Sequence, residues 1–219
     1  MSRRAKYLLL DLGKQVLLLH LGMSGSLRVV SLDLEPGRHD HVDLVFGNKV
    51  LRLRDPRRFG AVLLIEPPAE HSRLLRDLGL EPLSAGFDAQ ALYAMTRGRK
   101  TATKLFLMDA HRIVGVGNIY ASESLFRARI HPAKPVGRLS LPQCERLVKA
   151  IRTTLEDAIA AGGSSLKDFV HSDGSSGYFQ QQYAVYGRVG EPCRVCGSPV
   201  LRSVMGQRAT FFCPVCQKA

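Results

Sequence analysis

The cysteine spacing is the strongest chemical signal in the sequence. Cys193 and Cys196 form one Cys-x-x-Cys pair, and sixteen residues separate it from a second pair, Cys213 and Cys216. Two such pairs supply the four thiolates of a tetrahedral zinc site, whereas a disulfide framework would scatter its cysteines more evenly. A closed site of this kind has no open coordination position, so we predict one structural Zn²⁺. The hairpin between the pairs then presents Arg208 as a candidate phosphate contact.

Two glycine-containing loops carry side chains that suit a nucleic-acid base stack. The first loop runs from Asp55 to Gly60. In it, the guanidinium of Arg57 can bind phosphates, and the ring of Phe59 can insert between bases. In a second loop, Met23 lies between two glycines and offers an apolar tip of the same kind. Each motif has an ordinary alternative: a surface β-turn with solvated arginines in the first loop, and a methionine that fills the core in the second.

A third motif is a glycine-rich turn that leads into a predicted helix. Gly115 and Gly117 precede Asn118, and a helical segment is predicted over residues 122–128. Glycines let the backbone approach a ligand closely, and a helix N-terminus offers free N–H groups to a phosphate. The same glycines would equally serve to cap the preceding helix, so the turn alone leaves both interpretations open.

The charge balance favours a polyanionic partner. Lys and Arg total 31 against 19 Asp and Glu, which gives a formal net charge of +12. This balance favours nucleic acid over an anionic membrane, and a merely soluble basic surface is the alternative. The basic residues are spread along the chain, which suits several elements that converge on one nucleic-acid backbone. With no apolar run of about 18 residues and no signal-like start, the sequence predicts a cytoplasmic protein without a membrane partner.

The first part of the chain has the pattern of an all-β domain, which we predict over residues 1–66. Short apolar runs and turn signals predict strands at residues 5–12, 16–20, 27–31, 41–46, 49–54 and 60–65. The leucine runs at 8–10 and 17–19 predict strands that are covered on both faces. Residues 67–86, which contain three prolines, are the predicted linker.

The second part is predicted to be helical over residues 87–184, followed by a zinc finger over residues 185–219. Its clearest helix runs from Leu141 to Ala161, because Ser140 and Gln143 form a capping box before an apolar stripe. The fifth cysteine, Cys144, lies on that stripe, so we predict a core position for it.

Taken together and in this order, the motifs resemble those of formamidopyrimidine-DNA glycosylases. The resemblance rests on Leu21 to Gly25, Asp55 to Gly60, Gly115 to Glu123 and the cysteine hairpin with Gln207 to Thr210, and it covers essentially the whole chain. It implies an α+β multidomain fold with an N-terminal β-sandwich, a helix-two-turns-helix domain and a C-terminal zinc-ribbon hairpin. It also implies a monomeric, nucleoid-associated bacterial enzyme that excises oxidised purines, such as 8-oxoguanine and formamidopyrimidines, from double-stranded DNA and cleaves the abasic strand.

The resemblance implies roles for individual residues. Lys6 matches the lysine assigned to β-elimination, and Arg208 matches the arginine assigned to δ-elimination and phosphate binding. Met23, Arg57 and Phe59 match side chains that fill the gap left by a flipped nucleotide, which helps to offset the cost of flipping. Other matches are to DNA-contacting positions: His20, His39, Lys100, Asn118 and Tyr186.

At its N-terminus, the sequence departs from the family pattern. Family members begin with Pro-Glu, where the proline amine is the nucleophile and the glutamate is the acid. This sequence starts with Met1-Ser2-Arg3-Arg4, close to Lys6. We therefore expect a truncated β-sandwich in which that nucleophile and acid are absent. Two interpretations stay open: a fragment or mis-started form of a glycosylase, and a non-catalytic protein that binds damaged DNA or abasic sites.

A third class, a zinc-ribbon transcription or RNA-binding module, would explain the charge and the cysteines. It would not explain the Arg57–Phe59 loop or the Asn118 turn.

The loop from Ser172 to Tyr183 resembles the family segment that closes over a flipped lesion. Whether oxidised purines or oxidised pyrimidines are preferred stays open, because both kinds of enzyme share this architecture.

Overall fold

The computed structural model describes residues 1–163 and 183–218. The chain forms two compact units. The first contains Met1–Arg76, and the second contains Asp77–Ile159 together with the described residues from Tyr183 onward.

The first unit is built from two antiparallel sheets. Its strands are β1 (Ser2–Arg4), β2 (Tyr7–Asp11), β3 (Val16–His20), β4 (Ser26–Ser31), β5 (Asp40–Phe46), β6 (Lys49–Arg54) and β7 (Ala61–Ile65). One sheet has the order β1-β2-β3-β7 and the other the order β4-β6-β5. All six predicted strands are present. The sequence missed β1, because three residues are too few to show an alternating pattern.

The leucine-rich strands differ in burial. Leu17, Leu18 and Leu19 of β3 are buried, as predicted, but the leucines of β2 are only partly buried. The prediction that β2 is covered on both faces is therefore wrong. β3 lies between β2 and β7, whereas the outer neighbour of β2 is the three-residue β1. A run of leucines reports apolar content, but it does not report which strand is central.

The second unit combines four helices with a two-stranded hairpin. The helices are α1 (Ala89–Thr96), α2 (Thr103–Leu107), α3 (Asn118–Arg127) and α4 (Leu141–Ala160), and the hairpin strands are β8 (Leu201–Met205) and β9 (Arg208–Phe212). Short 3-10 helices lie at Ala69–His71 and Val136–Arg138. The core of the helical part includes Phe87, Leu92, Ile113, Leu125, Leu147 and Ile151. The predicted helical segment 122–128 begins earlier, at Asn118, so the glycine turn feeds α3 directly.

Helix α4 confirms the sequence prediction almost residue for residue. Its capping box is closed in both directions, because the Ser140 amide donates to the Gln143 side chain (3.0 Å) and the Gln143 amide donates to the Ser140 hydroxyl (3.4 Å). Cys144 is fully buried on the apolar stripe, as predicted. Gly162 and Gly163 follow the helix with positive φ angles, which end it.

Part of the segment between β7 and α1 belongs to the second unit. The amides of Gly79 and Leu80 donate to the carbonyls of Ala110 (2.8 Å) and Arg112 (3.0 Å), and Leu80 forms an isolated β-bridge with Ile113. Within the described parts of the chain, no helix is long and apolar enough to cross a membrane.

Candidate nucleic-acid interface

The four paired cysteines meet at one point. Their Sγ atoms all lie within 4.8 Å of one another, with 3.5 Å between Cys196 and Cys213 and 4.0 Å between Cys193 and Cys216. Thiolates about 2.3 Å from a tetrahedral zinc stand roughly 3.8 Å apart, so the set fits one Zn²⁺. The amides of Val195 and Cys216 approach the sulfurs of Cys193 (3.5 Å) and Cys213 (3.4 Å), which supports the thiolate charge. Four protein ligands close the site, so the zinc is structural.

Gln217 joins the zinc ribbon to the helical part of the second unit. Its side chain is buried, and Oε1 accepts from the Cys213 amide (2.9 Å) while Nε2 donates to the Ile130 carbonyl (2.9 Å). One amide group thus ties a metal-binding knuckle to the backbone after α3. The ribbon has a fixed place beside the helices.

The hairpin places Arg208 at the exposed start of β9. Gly206 and Gln207 form a two-residue turn with φ angles of +53° and +61°, the left-handed conformation that tight hairpins use. A Cβ on Gly206 would lie 2.8 Å from a methyl group of Leu105 in α2, so the turn packs closely on that helix. The guanidinium of Arg208 therefore projects from a supported turn.

Lys104 anchors the next part of β9. It is fully buried, and Nζ donates to the Ala209 carbonyl (3.0 Å) and to the Thr210 hydroxyl (2.7 Å). Burial lowers the pKa of Lys104 to about 8, because desolvation disfavours the charged ammonium. This lysine holds the two residues that follow Arg208, so it positions the strand rather than adding to the basic surface.

Asn118 and Tyr186 form a polar group beside the same strand. Nδ2 of Asn118 donates to the Ala209 carbonyl (3.1 Å) and to the Tyr186 hydroxyl (3.3 Å). The Tyr186 ring packs edge-on against Phe211, with 5.0 Å between ring centroids. Asn118 also begins α3, whose first amides are suited to an anion. The fold thus brings two of the predicted DNA contacts next to the start of β9.

Glu123 holds the segment that carries Tyr186. Its buried carboxylate accepts from three consecutive amides, those of Ala184 (2.8 Å), Val185 (3.0 Å) and Tyr186 (2.8 Å). Asn118 and Glu123 both belong to α3, so one helix supplies the amide side chain and the support for its tyrosine partner.

In the first unit, the loops of residues 21–25 and 56–60 lie against each other. A Cβ on Gly22 would lie 2.5 Å from the carbonyl carbon of Phe59, a contact that only glycine permits. The tips remain exposed: Met23 keeps 56% of its accessible surface and Phe59 keeps 60%. The alternative that Met23 is a core plug is therefore wrong.

Lys6, Tyr7 and His20 lie together where β2 and β3 meet. The rings of Tyr7 and His20 pack with 4.8 Å between centroids, and the Gly22 amide donates to Nδ1 of His20 (3.1 Å). Burial, and then the charge of Lys6, lower the pKa of His20. The lowered pKa favours the neutral ring, and because Nδ1 accepts from the Gly22 amide, the neutral ring carries its proton on Nε2 as a single directed donor.

Two further predicted site residues are His39 and Lys100. His39 precedes β5, and its carbonyl accepts from the Asp55 amide (2.9 Å). Lys100 is exposed between α1 and α2. The predicted lesion loop from Ser172 to Tyr183 lies outside the described residues, apart from Tyr183. The first unit thus carries Lys6, His20, Met23, His39, Arg57 and Phe59, and the second carries Lys100, Asn118, Tyr186 and Arg208.

Three buried polar residues that support these groups were not predicted as site residues from the sequence: Asp55, Lys104 and Glu123. The carboxylate of Asp55 accepts from the Ser24 hydroxyl (2.9 Å) and from the Gly60 amide (2.7 Å). The signal available for Asp55 was an acidic residue at the start of a glycine-ended turn. Lys104 and Glu123 gave no local signal, because their partners lie far along the chain.

Three family models match the chain. The formamidopyrimidine-DNA glycosylase N-terminal domain covers residues 1–62, the formamidopyrimidine-DNA glycosylase H2TH domain covers residues 78–170, and a zinc finger found in FPG and IleRS covers residues 190–219. A formamidopyrimidine-DNA glycosylase from Aromatoleum aromaticum is 62% identical over 216 residues, 99% of this chain and 80% of that protein. This chain belongs to the formamidopyrimidine-DNA glycosylase family.

Other formamidopyrimidine-DNA glycosylases agree with this assignment. The protein from Thioalkalivibrio sulfidiphilus is 55% identical over 99% of this chain and 80% of its own length. The crystal structure of MutM (FPG) from Thermus thermophilus matches with a TM-score of 0.89 and 41% identity, over 99% of this chain and 81% of that one. A complex between Lactococcus lactis Fpg and an abasic site containing DNA matches with a TM-score of 0.91 and 35% identity, over 100% and 81% of the chains. The predicted α+β fold, the zinc finger and the resemblance are confirmed.

Proposed function

We propose that this chain recognises oxidised purines, such as 8-oxoguanine and formamidopyrimidines, in double-stranded DNA and acts on them as a DNA glycosylase with abasic-site lyase activity. The observation that carries the proposal is the pair of exposed apolar tips, Met23 and Phe59, on loops that pack backbone to backbone beside Arg57. Exposed apolar side chains next to a cation suit insertion into a DNA stack from which a nucleotide has been flipped. Solved relatives are complexes with Fapy-dG containing DNA and with abasic site containing DNA.

In this proposal, the second unit supplies contacts to the phosphates of the DNA backbone. Asn118, Tyr186 and Arg208 converge on the start of β9 and offer an amide, a hydroxyl and a guanidinium, all of which bind phosphate oxygens. His20 in the first unit adds a neutral N–H donor. These contacts fix the register on DNA, whereas Met23, Arg57 and Phe59 detect the damaged position.

The chemistry is assigned to residues that match the family. Attack of an amine on the sugar C1′ breaks the glycosidic bond, so that the base leaves, and opening of the C1′–O4′ ring bond then gives the Schiff base. This iminium makes the neighbouring C2′ proton acidic, which allows β-elimination. Lys6, whose charge is felt by His20, is proposed to assist β-elimination. Arg208 is proposed to bind the phosphate that leaves in δ-elimination.

The proposed partner sets the remaining expectations. The substrate is duplex DNA, so the protein acts in the bacterial cytoplasm on the nucleoid. One chain carries both the recognition loops and the phosphate contacts, so it is proposed to act as a monomer.

Borohydride trapping tests the proposal. The chain and the full-length Aromatoleum aromaticum relative are incubated with duplexes that carry 8-oxoguanine opposite cytosine, an abasic site, or no damage. The proposal predicts stable covalent adducts on both damaged duplexes and none on the undamaged one. Adducts with the relative alone, together with selective binding by this chain, would replace the glycosylase with a non-catalytic protein that binds damaged DNA. Neither adduct nor selective binding would refute the proposal.

A further inference from the structure

We propose that Asp55 is the positioning residue that sets the two wedge loops, residues 21–25 and 56–60, at a fixed distance from each other. The inference rests on the proposed function, since it concerns how Met23 and Phe59 are held for insertion into DNA. Asp55 is not itself placed against DNA, because only 2% of its surface is exposed.

The carboxylate of Asp55 divides its two oxygens between the loops. Oδ1 accepts from the hydroxyl of Ser24 (2.9 Å), which is adjacent to Met23, and Oδ2 accepts from the amide of Gly60 (2.7 Å), which is adjacent to Phe59. Ser24 is as deeply buried as Asp55, so water does not compete for this bond. Each wedge side chain thus lies one residue from an atom held by Asp55.

The backbone of Asp55, which directly follows β6, is itself fixed to the chain segment that forms the neighbouring strand β5. Its amide donates to the His39 carbonyl (2.9 Å), and its carbonyl oxygen lies 3.0 Å from Nε2 of His41. The Arg58 amide also donates to this carbonyl (3.3 Å). Asp55 is therefore a fixed point from which the side chain reaches both loops.

Glycines let the two loops approach each other closely at this bridge. A Cβ on Gly22 would lie 2.5 Å from the Phe59 carbonyl carbon, and a Cβ on Gly60 would lie 2.9 Å from the His20 carbonyl oxygen and 3.0 Å from Oδ2 of Asp55. These glycines contribute no side chains to the packing between the loops, so the restraint there comes from directed hydrogen bonds together with the β3–β7 pairing at His20 and Ala61. The hydrogen bonds to the ionised carboxylate of Asp55 contribute to this restraint, because charge-assisted hydrogen bonds are stronger than those between neutral groups.

The electrostatics agree with an ionised bridge. Burial opposes the charge of Asp55, but the hydrogen bonds from the Gly60 amide, the Ser24 hydroxyl and the amides of Arg57 and Arg58 outweigh it and keep the pKa of this carboxyl below its ordinary value. The bridge is therefore intact at neutral pH.

Asp55→Asn in the full chain tests the proposal, because the amide has the same shape but one of its two positions cannot accept. Binding is measured to a duplex with a tetrahydrofuran abasic analogue and to an undamaged duplex. We expect the preference for the abasic duplex to fall about tenfold, while affinity for the undamaged duplex changes by less than about twofold. In a Met23→Ala/Phe59→Ala background, Asp55→Asn should have no further effect on the preference, since both act through the same wedge.

Two further measurements separate positioning from general damage. Asp43→Asn weakens the ion pair between Asp43 and Arg52 in the same unit and should leave the preference unchanged. Ser24→Ala keeps Asp55 but removes one bond, and it should lower the preference in the same direction. An equal loss on both duplexes, or an undiminished effect of Asp55→Asn in the wedge-free background, would overturn the proposal.

Amide hydrogen exchange in the DNA-free chain judges the bridge without reference to the proposed function. Asp55→Asn should speed exchange in both wedge loops and leave the β8–β9 hairpin unchanged, and unaltered exchange in the loops would overturn the proposal. If the unmodified chain shows no preference for the abasic duplex, the proposed function fails, while the exchange result still decides the role of Asp55.

Discussion

Arg57 is a cation two residues before the exposed ring of Phe59, and its contribution to binding is separable from that of general charge. We expect Arg57→Ala to weaken binding to an abasic duplex by about tenfold and binding to undamaged DNA much less, because its proposed contact exists only where a nucleotide is flipped. Fluorescence anisotropy at fixed salt measures both. Lys49→Ala is the matched control, since Lys49 is an exposed cation at the opposite end of β6 from this loop. Equal losses in the two variants would assign Arg57 to nonspecific charge.

Lys104 makes a second residue-scale prediction, on stability and pH. Its pKa is about 8 in the folded chain against 10.5 as the ordinary value, so the unfolded chain binds more protons between these limits and stability must rise with pH there. Relative to Lys104→Met, the unmodified chain should gain roughly 1 to 3 kcal/mol of unfolding free energy between pH 8 and pH 10.5. Denaturant titrations at each pH measure the unfolding free energy of both proteins. If the two free energies change with pH in parallel, Lys104 does not titrate in this range.

At the scale of elements, helix α3 is expected to govern phosphate binding through Glu123. Glu123→Gln leaves only one oxygen to accept from three amides and should cost about 1 to 3 kcal/mol of stability. It should weaken binding to damaged and undamaged duplexes by similar factors, because the proposed contacts of Tyr186 and Asn118 are to DNA phosphates, which both duplexes have. Thermal unfolding and anisotropy measure the two effects. Glu156→Gln, an exposed carboxylate on α4, is the control; a selective loss on damaged DNA would contradict the assignment.

The zinc ribbon gives a further prediction at this scale. A chelator, or Cys213→Ser, should remove one equivalent of zinc and abolish protection of the β8–β9 amides from hydrogen exchange, because structural zinc supplies much of the folding energy of such small modules. Arg208 would then lose its support, so binding to both duplexes should fall. Retained exchange protection without zinc would show that the contacts of Lys104, Asn118 and Gln217 are sufficient to hold the hairpin.

Most of the element boundaries were predictable, because they depend on neighbouring residues. The capping box of α4 and the spacing of Cys193 to Cys216 are local patterns with a direct physical meaning. The partial exposure of β2 was not predictable, since it depends on which strand lies at the centre of the sheet. The supports at Lys104 and Glu123 were not predictable either, because each bonds to residues more than 60 positions away.

At the scale of the whole molecule, a net charge of +12 is expected to provide much of the nonspecific affinity. Affinity for undamaged DNA should therefore fall steeply with salt, in proportion to the number of phosphates contacted. The preference for damage should change much less, because the wedge residues are proposed to act by shape and stacking. A preference that vanishes in parallel with affinity as salt rises would mean that recognition is electrostatic.

The most direct test of the central claim is competition binding at about 0.15 M ionic strength between an abasic-analogue duplex, the same undamaged duplex, its single strand and an RNA of equal length. The account predicts at least about tenfold tighter binding to the abasic duplex than to any competitor, since only that duplex accepts the wedge side chains without the cost of unstacking. Equal affinity for the damaged and undamaged duplexes, or tighter binding to the single strand or the RNA, would contradict it.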